Sequence, residues 1–426
     1  MSFTVFSLNP HLEQAVRFCG YTAPTPIQQQ AIPPILERRD LLGLAQTGTG
    51  KTAAFALPTV QHLMQTQGKG VRALILAPTR ELAEQINAFI CTITAKTGLR
   101  SVAVYGGVSK QMQIVKIRNG VEIVVACPGR LLDLLSEKAV DLGQVETLIL
   151  DEADHMFDKG FLPDIRRILR QLPRERQSLV FSATMPAEIR HLAEDILRNP
   201  VTVQINPTRS VKNIAHLLYA VEQGQKTELL MHLLKDGAMA TTLIFTRTKY
   251  KAKNLAQKLM QSGFKATSLQ GNLSQNKRQQ ALDGFKNGAF NVLVATDIAA
   301  RGIDVTGISH VVNYDMPDTA EAYIHRTGRT GRAARSGEAL TFATAEDGRM
   351  VKAIERVLDG TMSRQSTGAI PVSRQADDAS GHATKRSGTE QRAPKGKAGP
   401  QGTNGNRSRS KRPAASGIFG LGRRSQ

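Results

Sequence analysis

At 426 residues the chain is too long for one ordinary domain and long enough for two, and with 41% of its residues apolar it can bury large cores. Its 56 lysines and arginines against 36 acidic residues give a formal charge of +20, which suggests a polyanionic partner, either nucleic acid or an anionic membrane; the plainer alternative is a soluble protein with a basic exterior. The three cysteines (Cys19, Cys91, Cys127) are widely spaced and argue against a disulfide framework or a thiolate metal site, and no run of about 18 apolar residues is available to span a membrane.

In chain order, the opening MSFTVFSLNPH lacks a basic segment followed by an apolar run, so no secretory leader and a cytoplasmic location are expected. From 41 to about 200, short apolar runs alternate with helix-like stretches. The strand candidates are 41–45, 71–78, 101–105, 122–127, 145–151 and 177–184, with amphipathic stretches such as RELAEQINAFICTITAKTG between them. Strands alternating with helices imply a parallel sheet covered on both faces. The pattern pauses at the polar stretch NPTRSVKN and begins again. Strands are expected at 241–248, 264–270, 290–297 and 310–315, and helices over QKTELLMHLLKDG and YKAKNLAQKLMQSG. The expected organisation is therefore α/β, with a first domain over 1–205, a linker over 206–213 and a second domain over 214–360. Residues 361–426 carry 13 Lys and Arg against 3 Asp and Glu, a net of +10, and lose all apolar periodicity. Such a segment cannot bury enough apolar surface to offset its chain entropy, so a disordered basic tail is expected.

The chemistry begins at AQTGTGKT (45–52), between a strand and a helix-like stretch. Glycines at 48 and 50 allow backbone N–H groups to turn inward around phosphate oxygens. Lys51 can neutralise the β- and γ-phosphates, and the Thr52 hydroxyl can hold Mg²⁺. The strict pattern G-x-x-x-x-G-K-[ST] is not met, because Ala45 stands at the first glycine position; a Gly-rich turn with a surface lysine is the alternative. LILDEAD then sets Asp151 and Glu152 just after a buried strand about 100 residues on. A carboxylate there can hold the water shell of Mg²⁺, and its neighbour can polarise an attacking water; an acidic helix start is the structural alternative. PTRELA (78–83), CPGR (127–130) and SAT (182–184) also sit at strand ends, while ATDIAARGIDV (295–305) and HRTGRTGR (325–332) lie in the second domain. Arginines there could reach across to the γ-phosphate, unless the block is only a solvated basic turn.

These blocks, with GYTAPTPIQ (20–28), the Gly106-Gly107 pair, LIFTRTK and GNLSQNKR, resemble in order and spacing the DEAD-box RNA helicases, with most similarity to the bacterial RhlE-like group. The resemblance covers about residues 3–345. It implies two tandem RecA-like domains joined by a short linker. It implies ATP and Mg²⁺ as ligands, with Gln28 reading the adenine edge and Phe3 stacking on the base. Ala45, Gln46, Thr47, Gly48, Thr49, Gly50, Lys51 and Thr52 would surround the phosphates. Thr52 and Asp151 would hold the metal, Glu152 would be the general base, and Asp304 would contact the ribose. His325 would link the domains near the DEAD block, and Arg329 and Arg332 would be arginine fingers. Ser182, Ala183 and Thr184 would couple hydrolysis to strand separation.

The resemblance also implies an RNA path. Pro78, Thr79, Arg80, Gly107, Gly129 and Arg130 match contact positions in the first domain, and Thr246, Gln275, Arg278 and Thr296 match them in the second. These residue types suit phosphate and 2′-hydroxyl contacts, so binding should be largely sequence-independent, with ribonucleoprotein or RNA-decay proteins as further partners. Cys127 stands where the family has threonine, and Gln270 where it has histidine. The implied activity is RNA-stimulated ATP hydrolysis that closes the two domains and locally unwinds RNA or remodels RNA–protein complexes. A rival is an RNA-binding assembly or annealing factor with incidental ATPase activity, kept alive by the basic tail. A DNA helicase is a third reading, disfavoured by the DEAD and GYTAPTPIQ blocks.

Overall fold

The computed structural model describes residues 2–46, 48–205, 214–235, 239–300, 305, 307–331 and 336–366. The expected linker at 206–213, the residues Thr47, Asp304 and Arg332, and the tail from 367 onward lie outside the described residues.

The first lobe is a seven-stranded sheet of β1 (Leu41–Leu44), β2 (Ala73–Leu76), β3 (Ser101–Val104), β4 (Ile123–Ala126), β5 (Thr147–Leu150), β6 (Gln177–Ser182) and β7 (Val201–Gln204). Its strands pair in parallel in the order β3-β4-β2-β5-β6-β1-β7. The inner strands β2 and β4 are apolar at every position because both faces are covered. In β2, Ala73 and Ile75 enter one core while Leu74 and Leu76 enter the other, and β4 divides Ile123 and Val125 from Val124 and Ala126 in the same way.

The second lobe is built from β8 (Ile214–Ala220), β9 (Thr242–Phe245), β10 (Ala266–Leu269), β11 (Val292–Ala295), β12 (His310–Asn313), β13 (Gly337–Ala343) and β14 (Ser363–Gln365). Its order, β10-β11-β9-β12-β13-β8-β14, repeats that of the first lobe strand for strand. Ten of these fourteen strands lie inside the stretches read from the sequence. The other four are β7, β8, β13 and β14. β7 has four residues at a sheet edge, and β8 (IAHLLYA) is rich in the alanine and leucine that suit helices better.

The expectation that the fold ends at 360 needs correction. Met362 is buried beside Tyr323, whose hydroxyl lies 3.7 Å from the Met362 sulfur, and β14 adds a seventh strand to the sheet through its pairing with β8. Pairing by backbone alone leaves no apolar signature, and SRQ has none.

Parallel sheets gather the loops that follow their strands along one edge, and the motifs of the first lobe from the phosphate loop onward leave a strand there. The phosphate loop follows β1, Pro78 follows β2, Cys127 follows β4, Asp151 follows β5 and the SAT block ends β6. Thr246 and Thr296 follow β9 and β11 in the second lobe.

Candidate functional site

Gly48 and Gly50 have φ of +82° and +93°, conformations that side chains disfavour, and they turn the chain between β1 and the helix Lys51–Gln65. Gly50 has a second reason to lack a side chain: a Cβ there would come within 2.5 Å of Gln28 Nε2. Gln28 is fully buried at the start of the helix Pro26–Leu36. Its Oε1 accepts from Thr25 N at 2.9 Å, and its Nε2 donates to Gly50 O at 3.1 Å. The side chain therefore ties its own helix start to the phosphate loop. One amide hydrogen and one lone pair remain for a base edge. Thr49 steadies the loop by donating to Gln46 O at 2.7 Å. Phe3 is buried, in edge-type contact with Phe6 and Tyr21 at ring distances of 5.9 and 6.0 Å, so the structure joins it to an aromatic cluster.

Lys51 reaches inward from the first turn of its helix. Its side chain is 5% exposed, and its buried ammonium lies 3.7 Å from Asp151 Oδ1 and makes no hydrogen bond among the described residues. A buried cation left in that state is costly unless an anion completes the site. Burial raises the Asp151 carboxyl above its ordinary range against the pull of Lys51. Glu152 has a left-handed backbone (φ 52°, ψ 54°) at the sharp turn into the helix Ala153–Asp158. Burial pushes its carboxyl up, but the His155 hydrogen bond and the charges of Lys51, His155 and Arg329 outweigh that and hold it below its ordinary value. The two neighbouring carboxyls are thus driven apart.

Asp154 was not among the residues singled out from the sequence, although it lies within the quoted DEAD block. Its Oδ2 accepts from Ala183 N, Thr184 N and Thr184 Oγ1 at 3.2, 2.9 and 3.0 Å, while its own N–H donates to Ser182 Oγ at 3.2 Å. Ser182 Oγ in turn donates to Thr184 O at 2.7 Å. Any shift of the DEAD turn must therefore move the SAT turn. Across the cleft, His325 and Arg329 of the second lobe line the same narrow cavity as Gln46, Glu152 and Ala183. They come from the end of the helix Ala320–Thr327 and the turn after it, where Arg329 Nε donates to His325 O at 3.2 Å.

A larger cavity, of about 580 Å³, lies between the lobes. Of the expected RNA residues, Pro78, Thr79, Arg80, Gly129, Arg130, Arg278 and Thr296 line it. Lys159, Arg247 and Lys249 join them, so six cations face one acid, Glu81. Sequence reading singled out none of these three: Arg247 and Lys249 lie inside the LIFTRTK block, of which only Thr246 was taken as a contact, and Lys159 follows the DEAD block by five residues, where a lysine looks like any surface charge. Gly107 and Gln275 touch Arg80: the Arg80 guanidinium occupies the space where a Gly107 Cβ would be, and Arg80 Nη1 donates to Gln275 Oε1 at 3.5 Å.

Three expectations change in detail. Thr246 is fully buried under β9, its hydroxyl turned to Thr248 O and Ala295 O, and it does not reach the cavity. The Thr79 hydroxyl accepts from Leu82 N at 3.1 Å and caps the helix Arg80–Thr94. Arg278 spans the lobes to Glu81, with Nε donating to Glu81 Oε1 at 2.7 Å. The two departures from the family pattern also resolve. Cys127 is a buried N-cap without a cap hydrogen bond, and burial pushes its thiol up to about 12, so it stays neutral. Gln270 is buried, and its side chain accepts from Asn272 N at 2.7 Å, which closes its own turn.

Residues 25–192 match the DEAD/DEAH box helicase family, and residues 225–334 match the helicase conserved C-terminal domain. The DEAD-box ATP-dependent RNA helicase RhpA of Helicobacter pylori is 41% identical over 359 residues, covering 84% of this chain and 73% of that protein. The DEAD-box ATP-dependent RNA helicase CshA of Bacillus subtilis is 40% identical over 365 residues, covering 85% and 74%. Among solved structures, S. cerevisiae Dbp5 bound to RNA and ADP BeF3 aligns with a TM-score of 0.78 at 32% identity, covering 86% of this chain and 96% of that one. Mss116p bound to ssRNA and AMP-PNP aligns at 0.77 and 29% identity, covering 85% and 78%. The RhlE-like group expected from the motifs is a finer division than these matches draw.

Proposed function

The chain belongs to the DEAD-box family of ATP-dependent RNA helicases, and from that premise we propose how its own residues perform the work: ATP and Mg²⁺ are held by the phosphate loop and the DEAD turn, RNA by the basic cavity, and each ligand favours the closed lobes in which both sites are complete. The observation that carries this is the buried Lys51 ammonium without a hydrogen bond, 3.7 Å from Asp151 and on the same edge as Glu152. A phosphate chain supplies the anion that Lys51 lacks. Asp151 and the Thr52 hydroxyl suit Mg²⁺, which is usually held by one or two carboxylates together with waters and phosphates. When bound, that ion would neutralise charge on the phosphate oxygens and favour the ionised form of Asp151.

Glu152 then takes the proton of the attacking water as the new oxygen–phosphorus bond forms and the bond to the ADP oxygen breaks. Arg329, with Arg332 as its expected companion, brings positive charge from the second lobe to the transferring group. Gln28 reads adenine with the amide hydrogen and lone pair that its turn leaves over. Loss of the γ-phosphate removes what Arg329 holds, and the link from Asp154 to Ser182 and Thr184 carries the change toward the lobe interface. On the RNA side the six cations favour phosphates over base edges, so the substrate is defined by its backbone.

ATP hydrolysis measured without nucleic acid, with RNA and with DNA tests the reading. RNA is expected to stimulate turnover and DNA to do so far less. Glu152→Gln should keep ATP and RNA binding, lose about 10²–10⁴ in rate, and remain trapped on RNA. Equal stimulation by DNA, or near-normal hydrolysis by Glu152→Gln, would overturn it.

A further inference from the structure

His155 belongs to none of the motif roles above, yet it makes contact with the carboxylate on which hydrolysis is proposed to depend. Its Nδ1 lies 3.2 Å from Glu152 Oε2, and both residues are buried, 5% and 6% exposed. The contact follows from local geometry. Glu152 stands at the N-terminal boundary of the helix Ala153–Asp158, and His155 follows it by three residues, one turn away on the same face. The left-handed backbone at Glu152 fixes where its side chain begins, but three further rotors leave the carboxylate free to swing.

The other groups of the turn do not hold it. Asp154 is committed to Ala183 and Thr184, and Asp151 Oδ1 accepts the backbone N–H of Glu152 and not its side chain. Among the described residues, the His155 contact is the one hydrogen bond made by the Glu152 carboxylate. An ionised carboxylate can only accept, so Nδ1 must carry the hydrogen. His155 shares the cleft wall with Asp158 and, from the second lobe, His325 and Arg329.

We infer that His155 is a positioning residue for ATP hydrolysis: its Nδ1–H holds Glu152 Oε2 and leaves Oε1 turned toward the attacking water. A base oriented by a third group is the general logic of activated water and activated nucleophiles, and small displacements of a reacting group are costly in rate. The inference rests on Glu152 as the base.

The test compares His155→Leu, which keeps bulk and loses the donor, with His155→Asn, whose amide can offer an N–H near the Nδ1 position. RNA-stimulated ATPase would be measured across ATP concentrations for both, alone and combined with Glu152→Gln, with melting temperatures to confirm folding. His155→Leu is expected to lower kcat about 10–100-fold at near-normal KM for ATP, and His155→Asn to recover most of that loss. In the Glu152→Gln background, His155→Leu should cost nothing further, because there is no base left to aim. A normal kcat in His155→Leu, a failure of His155→Asn to recover any rate, or a full further loss in the Glu152→Gln background would overturn the positioning role. Near-normal hydrolysis by Glu152→Gln alone would instead overturn the reading of Glu152, a distinguishable result.

Discussion

Two glycines in or beside the basic cavity serve different ends. A Cβ on Gly129 would meet no atom within 4 Å, and Gly129 lies in the first turn of the helix Pro128–Ser136, whose N–H groups we expect to meet an incoming phosphate. Gly107 has φ +86° and leaves its space to the Arg80 guanidinium. Gly129→Ala should therefore melt at or above the normal temperature yet bind RNA more weakly, since a methyl blocks close approach of the phosphate. Gly107→Ala should lose about 1–2 kcal/mol of stability from its left-handed backbone and also displace Arg80. Thermal melts with RNA isotherms separate the two; unchanged RNA affinity in Gly129→Ala would refute its place in the path. At this scale the motifs made the reactive set legible, because Lys51, Asp151 and Glu152 are fixed by the loop and the strand end that carry them. They did not reveal that the Thr79 hydroxyl is a cap or that Thr246 is buried. Small hydroxyl side chains are claimed by the nearest backbone group, and sequence does not say which group that is.

Elements read best where burial writes them into the chain. β2, β4, β5, β9 and β11 are inner strands, apolar on both faces, and appear as continuous runs. β14 is held by backbone pairing with β8, and the neighbouring burial comes from Met362, so nothing in SRQ advertises it. The consequence is measurable. A chain ending at 366 should melt like the full-length protein, while one ending at 360 should melt several degrees lower. Met362→Ala should cost about 2 kcal/mol, the low end for a buried methionine. Identical melting of the two truncations would mean that β14 adds nothing to the second lobe.

Closure of the whole molecule is reinforced by a pair that spans it. Burial would raise the Glu81 carboxyl, but the hydrogen bond and charge of Arg278 overcome this and hold it below its ordinary value of 4.5. A lowered carboxylate stabilises the state in which it is paired at pH above that ordinary value, and the contribution is lost as pH falls through the lowered one. The closed form should thus be insensitive to pH near neutrality and open on acidification below about 4.5. In Glu81→Gln that transition should be absent, as read by fluorescence energy transfer between dyes on the two lobes. Arg278→Gln alone strands a buried charge and should disturb closure more than the double variant predicts by addition, with an interaction energy of about 0.5–3 kcal/mol. Strict additivity would mean the pair is not coupled. The tail is legible only as composition. Residues 367–426 hold 12 Lys and Arg against 3 acids, a net of +9, with Phe419 as their one aromatic. We expect their deletion to weaken RNA affinity and flatten the slope of log affinity against log salt, while ATPase at saturating RNA survives. Identical slopes would assign RNA binding to the two lobes alone. One architectural repeat has a mechanical meaning. In the first lobe the strand that leads toward the second, β7, is laced in parallel to β1, from Leu41↔Val201 to Leu44↔Gln204, and β1 delivers the phosphate loop. Tension along that strand is shared by the whole ladder and arrives beside Ala45, so pulling the lobes apart loads the nucleotide site first. In the second lobe β14 is laced to β8 in the same way, so a tug on the tail strains the strand with which that lobe begins.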